Sequence, residues 1–245
     1  MRILSRLLGR PRPRLLEPKA AYARWAETYP PRAHNALMRS EQAAMEAMLG
    51  SISASAVLDL GTGTGRYLPV LAKAGARKAI GLDRSLAMLA SARAAGAPLV
   101  CADACALPFV TEAFDLVVAS LMVGDVDDLR QWAREIWRAL KPGGRLLYSD
   151  FHPFWAERNW ERTFETTDGR SWRVNYHPHA IVEHQAALTA AGFSVVEIRQ
   201  PRLIHDGDGE VEAMRARWNN PSVSVVVHAA KPGPSPRLAT AAGMR

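Results

Sequence analysis

The sequence predicts an α/β domain with a mostly parallel, seven-stranded sheet, helices on both faces, and a hairpin inserted after the fifth strand. Three observations predict it. From residue 54 onwards near-continuous apolar runs of strand length alternate with amphipathic helical runs, the pattern of strands buried on both faces. A turn with glycine at 61, 63 and 65 follows the first apolar run. The 245 residues, 48% hydrophobic and 22% charged, suit one domain with a sizeable core.

In chain order, AAYARWAETYPP reads as a helix stopped by Pro30 and Pro31, and NALMRSEQAAMEAML as a second helix ending at Gly50. SAVLDL is a strand, RYLPVLAKAG a helix, KAIGLD a strand, SLAMLASARAAG a helix, and PLVCAD and FDLVVAS strands. The helix DDLRQWAREIWRAL then leads through a KPGG turn into the fifth strand, GRLLYSDF. The rhythm breaks at RTFETTDGRSWRVNYH, where alternation on either side of Asp168-Gly169 predicts a hairpin with a tight primed turn. Helix IVEHQAALTAAG, strand FSVVEIRQPRL, a polar excursion and strand SVSVVVHAA complete the pattern.

The net charge of +7 lies in the ends. Residues 1–16 hold five arginines and no acid, and residues 231–245 hold Lys231, Arg237 and Arg245. The stretch between is close to neutral, which excludes a basic nucleic-acid groove built into the fold. The expected division is a basic tail over 1–17, the domain over 18–230 and a disordered tail over 231–245. MRILSRLL places arginines on one side of a helical turn and apolar residues on the other, so it reads either as a solvated tail or as a peripheral membrane contact. No apolar run is long enough to span a bilayer, and the two cysteines, Cys101 and Cys105, make neither a staple nor a zinc site. A reduced, cytoplasmic protein is expected.

Ligands of a parallel sheet bind at the carboxyl ends of its strands, and glycine there lets the backbone approach them. A dinucleotide turn, G-x-G-x-x-G, needs glycine at 66, where this chain has Arg66. Its turn closes one residue earlier, as D-x-G-x-G-x-G from Asp59. That form resembles the first motif of class I S-adenosylmethionine-dependent methyltransferases, the branch that includes the ubiquinone/menaquinone-biosynthesis enzymes. The resemblance spans about Tyr22 to Ala230 and implies the Rossmann-like methyltransferase fold with S-adenosyl-L-methionine as cofactor.

The resemblance also implies site residues. Asp59, Gly61, Thr62, Gly63 and Gly65 form the cofactor turn. Asp83, ending the second strand and followed by Arg84, takes the ribose hydroxyls. Asp103 and Ala104, after the third strand, take the adenine. Ser120 ends the fourth strand, and Tyr22 and Tyr29 match tyrosines across the cofactor entrance. Singly, each of these acids also has a structural reading: Asp59 as a turn anchor, Asp83 and Asp103 as helix caps.

Methyl transfer from a sulfonium is an in-line displacement that needs alignment and, for a hydroxyl or acidic acceptor, a base. His152, directly after the fifth strand, and Asp125, in the loop after the fourth, are the expected catalytic residues, each with a capping role as its alternative. His34 and the cluster Tyr176, His177, His179 and His184 are further candidates. His177-Pro178-His179 lacks partner cysteines or acids at regular spacing, so no metal is expected. Two readings follow: an enzyme methylating a small-molecule acceptor at oxygen or carbon, or a catalytically silent cofactor-binding accessory protein. A nicotinamide oxidoreductase is disfavoured by Arg66.

Overall fold

The computed structural model describes residues 12–52, 55–205 and 209–233. Its elements are β1 (Arg14–Leu16), α1 (Pro18–Trp25), α2 (Ala36–Leu49), β2 (Ala56–Leu60), α3 (Leu68–Lys73), β3 (Lys78–Asp83), α4 (Leu86–Ala92), β4 (Leu99–Cys101) and β5 (Phe114–Ser120). They continue with α5 (Leu129–Ala139), β6 (Leu140–Phe151), β7 (Arg162–Glu165), β8 (Ser171–Val174), α6 (Ile181–Ala191), β9 (Ser194–Arg199), α7 (Gly209–Arg217) and β10 (Ser224–Ala230).

Seven strands form one sheet in the order β4-β3-β2-β5-β6-β10-β9, and only β10 runs against its neighbours. Strand alternation divides its side chains between two cores. Leu58, Leu60, Val117 and Ala119 face α5, whose Trp132, Ala133 and Ile136 are fully buried. Val57, Leu116, Val118 and Leu147 face Met45, Met48 and Leu49 of α2. Chain order reverses between β2 and β5, which opens a crevice at the carboxyl ends of those strands.

A second sheet, β1-β8-β7, packs on α1. Phe164, Trp172 and Val174 bury against Ala21, and Trp25 stacks on Phe164 with ring centroids 4.7 Å apart. The predicted hairpin is present, but its turn is longer than expected. Thr166 and Arg170 still pair, and Gly169, at φ 76°, sits in a turn closed by its N–H to the Thr166 carbonyl. A glycine in this conformation after an ordinary turn closes a longer hairpin loop than the primed turn does.

Three further expectations change. Arg14–Leu16, assigned to the tail, pairs in parallel with β8, because the hairpin edge offers it a ladder. Lys231, assigned to the other tail, is buried, and its Nζ donates to the carbonyls of Trp137 and Leu140. The KPGG stretch lies inside β6, accommodated by a register shift between Phe114 and Leu116. The arginine-rich stretch over residues 1–11 and the end over 234–245 lie outside the described residues. No helix among the described residues is long and apolar enough to cross a membrane.

Candidate active site

At the carboxyl end of β2 the chain turns under its own neighbour. The N–H groups of Gly61 and Thr62 both donate to the Leu82 carbonyl of β3, at 2.8 and 2.9 Å. Asp59 is buried beneath this turn and accepts the Thr62 hydroxyl at 2.5 Å. Burial pushes its carboxyl up to about 7, against the pull of the Thr62 hydroxyl and the Arg66 guanidinium.

The glycines have different duties. Gly63, at φ 55°, lines the crevice, and a Cβ placed on it meets no protein atom within 4 Å. Its N–H donates to Asp83 Oδ2 at 2.9 Å. Gly61 also lines the crevice. Gly65 does not: a Cβ there comes within 3.2 Å of Ala92 and 3.3 Å of Leu68, so this glycine lets α3 start against α4. The expectation that all three wrap a ligand is corrected at this position.

Asp83 and Arg84 both line the crevice. Asp83 Oδ1 accepts the Ser85 N–H at 2.8 Å, and burial raises the carboxyl above its usual range. Ala104 lines it too, whereas Asp103 is exposed, lies outside the lining and accepts the Cys105 N–H at 2.7 Å. Ser120 lines the crevice between Arg66, which donates to its hydroxyl, and Glu41, which accepts from it at 2.8 Å.

Glu41 is fully buried and collects four neighbours: Arg66 in an ion pair at 3.1 Å and the hydroxyls of Tyr67, Ser120 and Ser149. It joins α2 to the ends of β5 and β6. Nothing in the sequence marks it, since it sits in mid-helix with no local motif. Arg162 is the second buried charge that the sequence does not mark. It pairs with Asp125, donates to the Tyr22 hydroxyl at 3.0 Å and faces the rings of Tyr22, Phe151 and Tyr176. Asp125 lines the crevice with its charge compensated by Arg162. Its loop is tied down from below, because buried Asp150 accepts the Gly124 N–H at 3.1 Å; burial pushes the Asp150 carboxyl up to about 7.

His152 does not face this space. Its Nδ1 accepts the Phe154 N–H at 3.1 Å, capping the turn over Pro153–Arg158, and its Nε2 lies 2.8 Å from Gln200 Oε1. It lines neither cavity. Proline after His152 turns the chain away from the strand, which carries the ring with it. The other histidines are dispersed as well: His177 pairs with Asp127, His179 approaches the Val126 carbonyl, and buried His184 meets the Tyr148 hydroxyl.

The crevice and the larger cavity that adjoins it span about 840 and 1470 Å³ with their open mouths. Tyr22, Tyr29 and Leu121 line both. The larger one is walled by Trp25, Phe151, Trp155 and Trp160 with Leu203 and Met214, and its polar lining includes His34 and Arg162.

Residues 58–148 match a family model described as a methyltransferase domain. Over these residues the chain carries a methyltransferase domain. A demethylmenaquinone methyltransferase of Corynebacterium urealyticum is 40% identical over 95 residues, 39% of this chain and 41% of that protein. A malonyl-[acyl-carrier protein] O-methyltransferase of a Marinomonas species is 40% identical over 116 residues, covering 42% and 40%. The matches thus span about two fifths of those relatives' length. A crystal structure of an S-adenosylmethionine-dependent methyltransferase from Mesorhizobium loti aligns over 78% of this chain and 97% of that one, with a TM-score of 0.64 and 25% identity.

The cofactor of the methyltransferase domain, S-adenosylmethionine, fits the crevice. Gly63 leaves the space that a Cβ would fill, and Asp83 supplies a half-buried acceptor. Its two occupied lone pairs hold the backbone in place and leave others for hydroxyls. Arg66 also lines the crevice, its charge matched by Glu41.

Proposed function

We propose that the protein transfers the methyl group of S-adenosylmethionine to a small, largely apolar acceptor, at oxygen or carbon. One observation carries this reading: the glycine-turn crevice and the aromatic cavity meet at Tyr22, Tyr29 and Leu121. A cofactor in one and an acceptor in the other would be held for in-line displacement, and alignment supplies much of the acceleration in such a step. The bound cofactor supplies an activated methyl group. Asp83 and the Gly61–Gly63 turn orient it, Tyr22 and Tyr29 close over it, and the tryptophan walls exclude water. The names of two relatives, a demethylmenaquinone methyltransferase and a malonyl-[acyl-carrier protein] O-methyltransferase, support a quinone-like or small acyl acceptor group.

The test is incubation with methyl-labelled S-adenosylmethionine and fractionated small molecules from the source, with identification of the labelled product. Label in an apolar small molecule is the expected result. Cofactor binding without transfer to any fraction would instead support the silent accessory reading.

A further inference from the structure

We infer that His34 is the general base of this site, taking the proton from an acidic hydroxyl of the acceptor as the methyl group is transferred. The inference rests on the methyl-transfer reading above. Among the described residues His34 is the imidazole that lines either cavity. It stands in the larger one, with its ring edge-on to Tyr29 at 5.6 Å between centroids, and Tyr29 lines both. The backbone there is set by its neighbour: Asn35 caps α2 by accepting the Met38 N–H at 2.9 Å.

The hydrogen bonding decides the tautomer. His34 Nδ1 lies 3.4 Å from the Arg32 carbonyl oxygen, which can only accept, so Nδ1 carries the hydrogen and donates. Nε2 then holds the free lone pair, and no described residue hydrogen-bonds to it. The same carbonyl stabilises the imidazolium once Nε2 is protonated. Partial burial, with the nearby Arg66 and Arg32 charges, outweighs the Arg32 carbonyl and lowers the ring's pKa, which leaves Nε2 unprotonated at neutral pH.

The other candidate bases at the acceptor cavity and its mouth are held. Asp125 is held by Arg162, the Tyr22 and Tyr29 phenols are pushed up by burial, His184 is buried on Tyr148, and His152 caps its own turn. In the step itself the acceptor O–H bond breaks and its proton passes to His34 Nε2. The oxygen electron pair forms the new bond to the methyl carbon, and the carbon–sulfur bond breaks with its electron pair left on sulfur. S-Adenosylhomocysteine leaves neutral at sulfur, and the exposed imidazolium returns its proton to water.

The test uses the full chain loaded with S-adenosylhomocysteine and titrated with 4-nitrophenol, whose anion is yellow, at the near-neutral midpoint of the free phenol, where the imidazole is uncharged. Calorimetry with S-adenosylhomocysteine alone is run beside it. Wild type should ionise the bound phenol. His34→Gln and His34→Asn should bind S-adenosylhomocysteine within about twofold of wild type and lower the anion-to-phenol ratio about tenfold, one pKa unit. Anion absorbance retained in both variants, or absent in wild type, overturns the assignment of His34. Failure of wild type to bind S-adenosylhomocysteine overturns the methyl-transfer reading instead.

Discussion

The backbone N–H of Gly63 donates to Oδ2 of Asp83 at 2.9 Å, so the acid that ends β3 is bonded to the glycine turn that follows β2. The residue proposed to take the ribose hydroxyls therefore also fixes the floor of the crevice. Asp83→Ala should weaken S-adenosylmethionine binding by about 1–3 kcal/mol, since it leaves buried donors without an acceptor. Calorimetric titration of the folded variant measures it. Unchanged affinity would place the ribose elsewhere.

Asp59 and Asp150 both sit at about 7 because burial disfavours their charged forms. A carboxyl raised in the fold from 3.8 favours folding in full below that value, progressively less as pH rises, and not at all above about 7. Buried His184, lowered to about 4, acts in the opposite sense between 4 and 6.5, so each aspartate is best read by difference. The stability of Asp59→Asn and of Asp150→Asn relative to wild type should improve from pH 5 to pH 8. Urea titrations at the two pH values would show it, and a constant difference would contradict the shifts.

Arg162 and Asp125 form a buried pair between the hairpin and the loop after β5. Arg162→Met strands the Asp125 charge and should cost about 3–5 kcal/mol. The double variant Arg162→Met/Asp125→Asn should recover part of that loss, giving a coupling energy of about 1–3 kcal/mol. Additive effects in denaturant unfolding would mean that the two residues act independently.

His152 caps a turn. His152→Ala should lower stability by about 1 kcal/mol, the usual worth of a cap. Cofactor affinity and turnover on the identified acceptor should stay within about threefold of wild type, far short of the 10²-fold minimum expected for loss of a general base. A larger fall in turnover would return the ring to the chemistry.

Residues 1–11 carry three of the N-terminal arginines, Arg2, Arg6 and Arg10. If they contact a membrane surface, the full chain should sediment with anionic vesicles at low salt and release as salt rises. A chain beginning at Arg12 keeps β1 and should remain in solution with its cofactor affinity intact. Equal sedimentation of both forms would assign the stretch to solvent.

Local chemistry made much of this protein legible from sequence. Alternating apolar runs of period 2 and 3.6 identify the strands and helices of the central sheet, and the spacing from Asp59 to Gly65 places a ligand-binding turn at a strand end. Asp83 is likewise visible because a strand terminus in a parallel sheet is a fixed location. The partnerships that complete the site are contacts between distant segments, and no local pattern encodes them. Glu41 reaches Ser149 across 108 positions, and Arg162 reaches Tyr22 across 140. His152 and His34 illustrate the same division. Both are visible as candidate bases, but the direction of a ring is set by what its nitrogens meet after folding: a backbone N–H that turns His152 into a cap, and the Arg32 carbonyl that His34 Nδ1 meets.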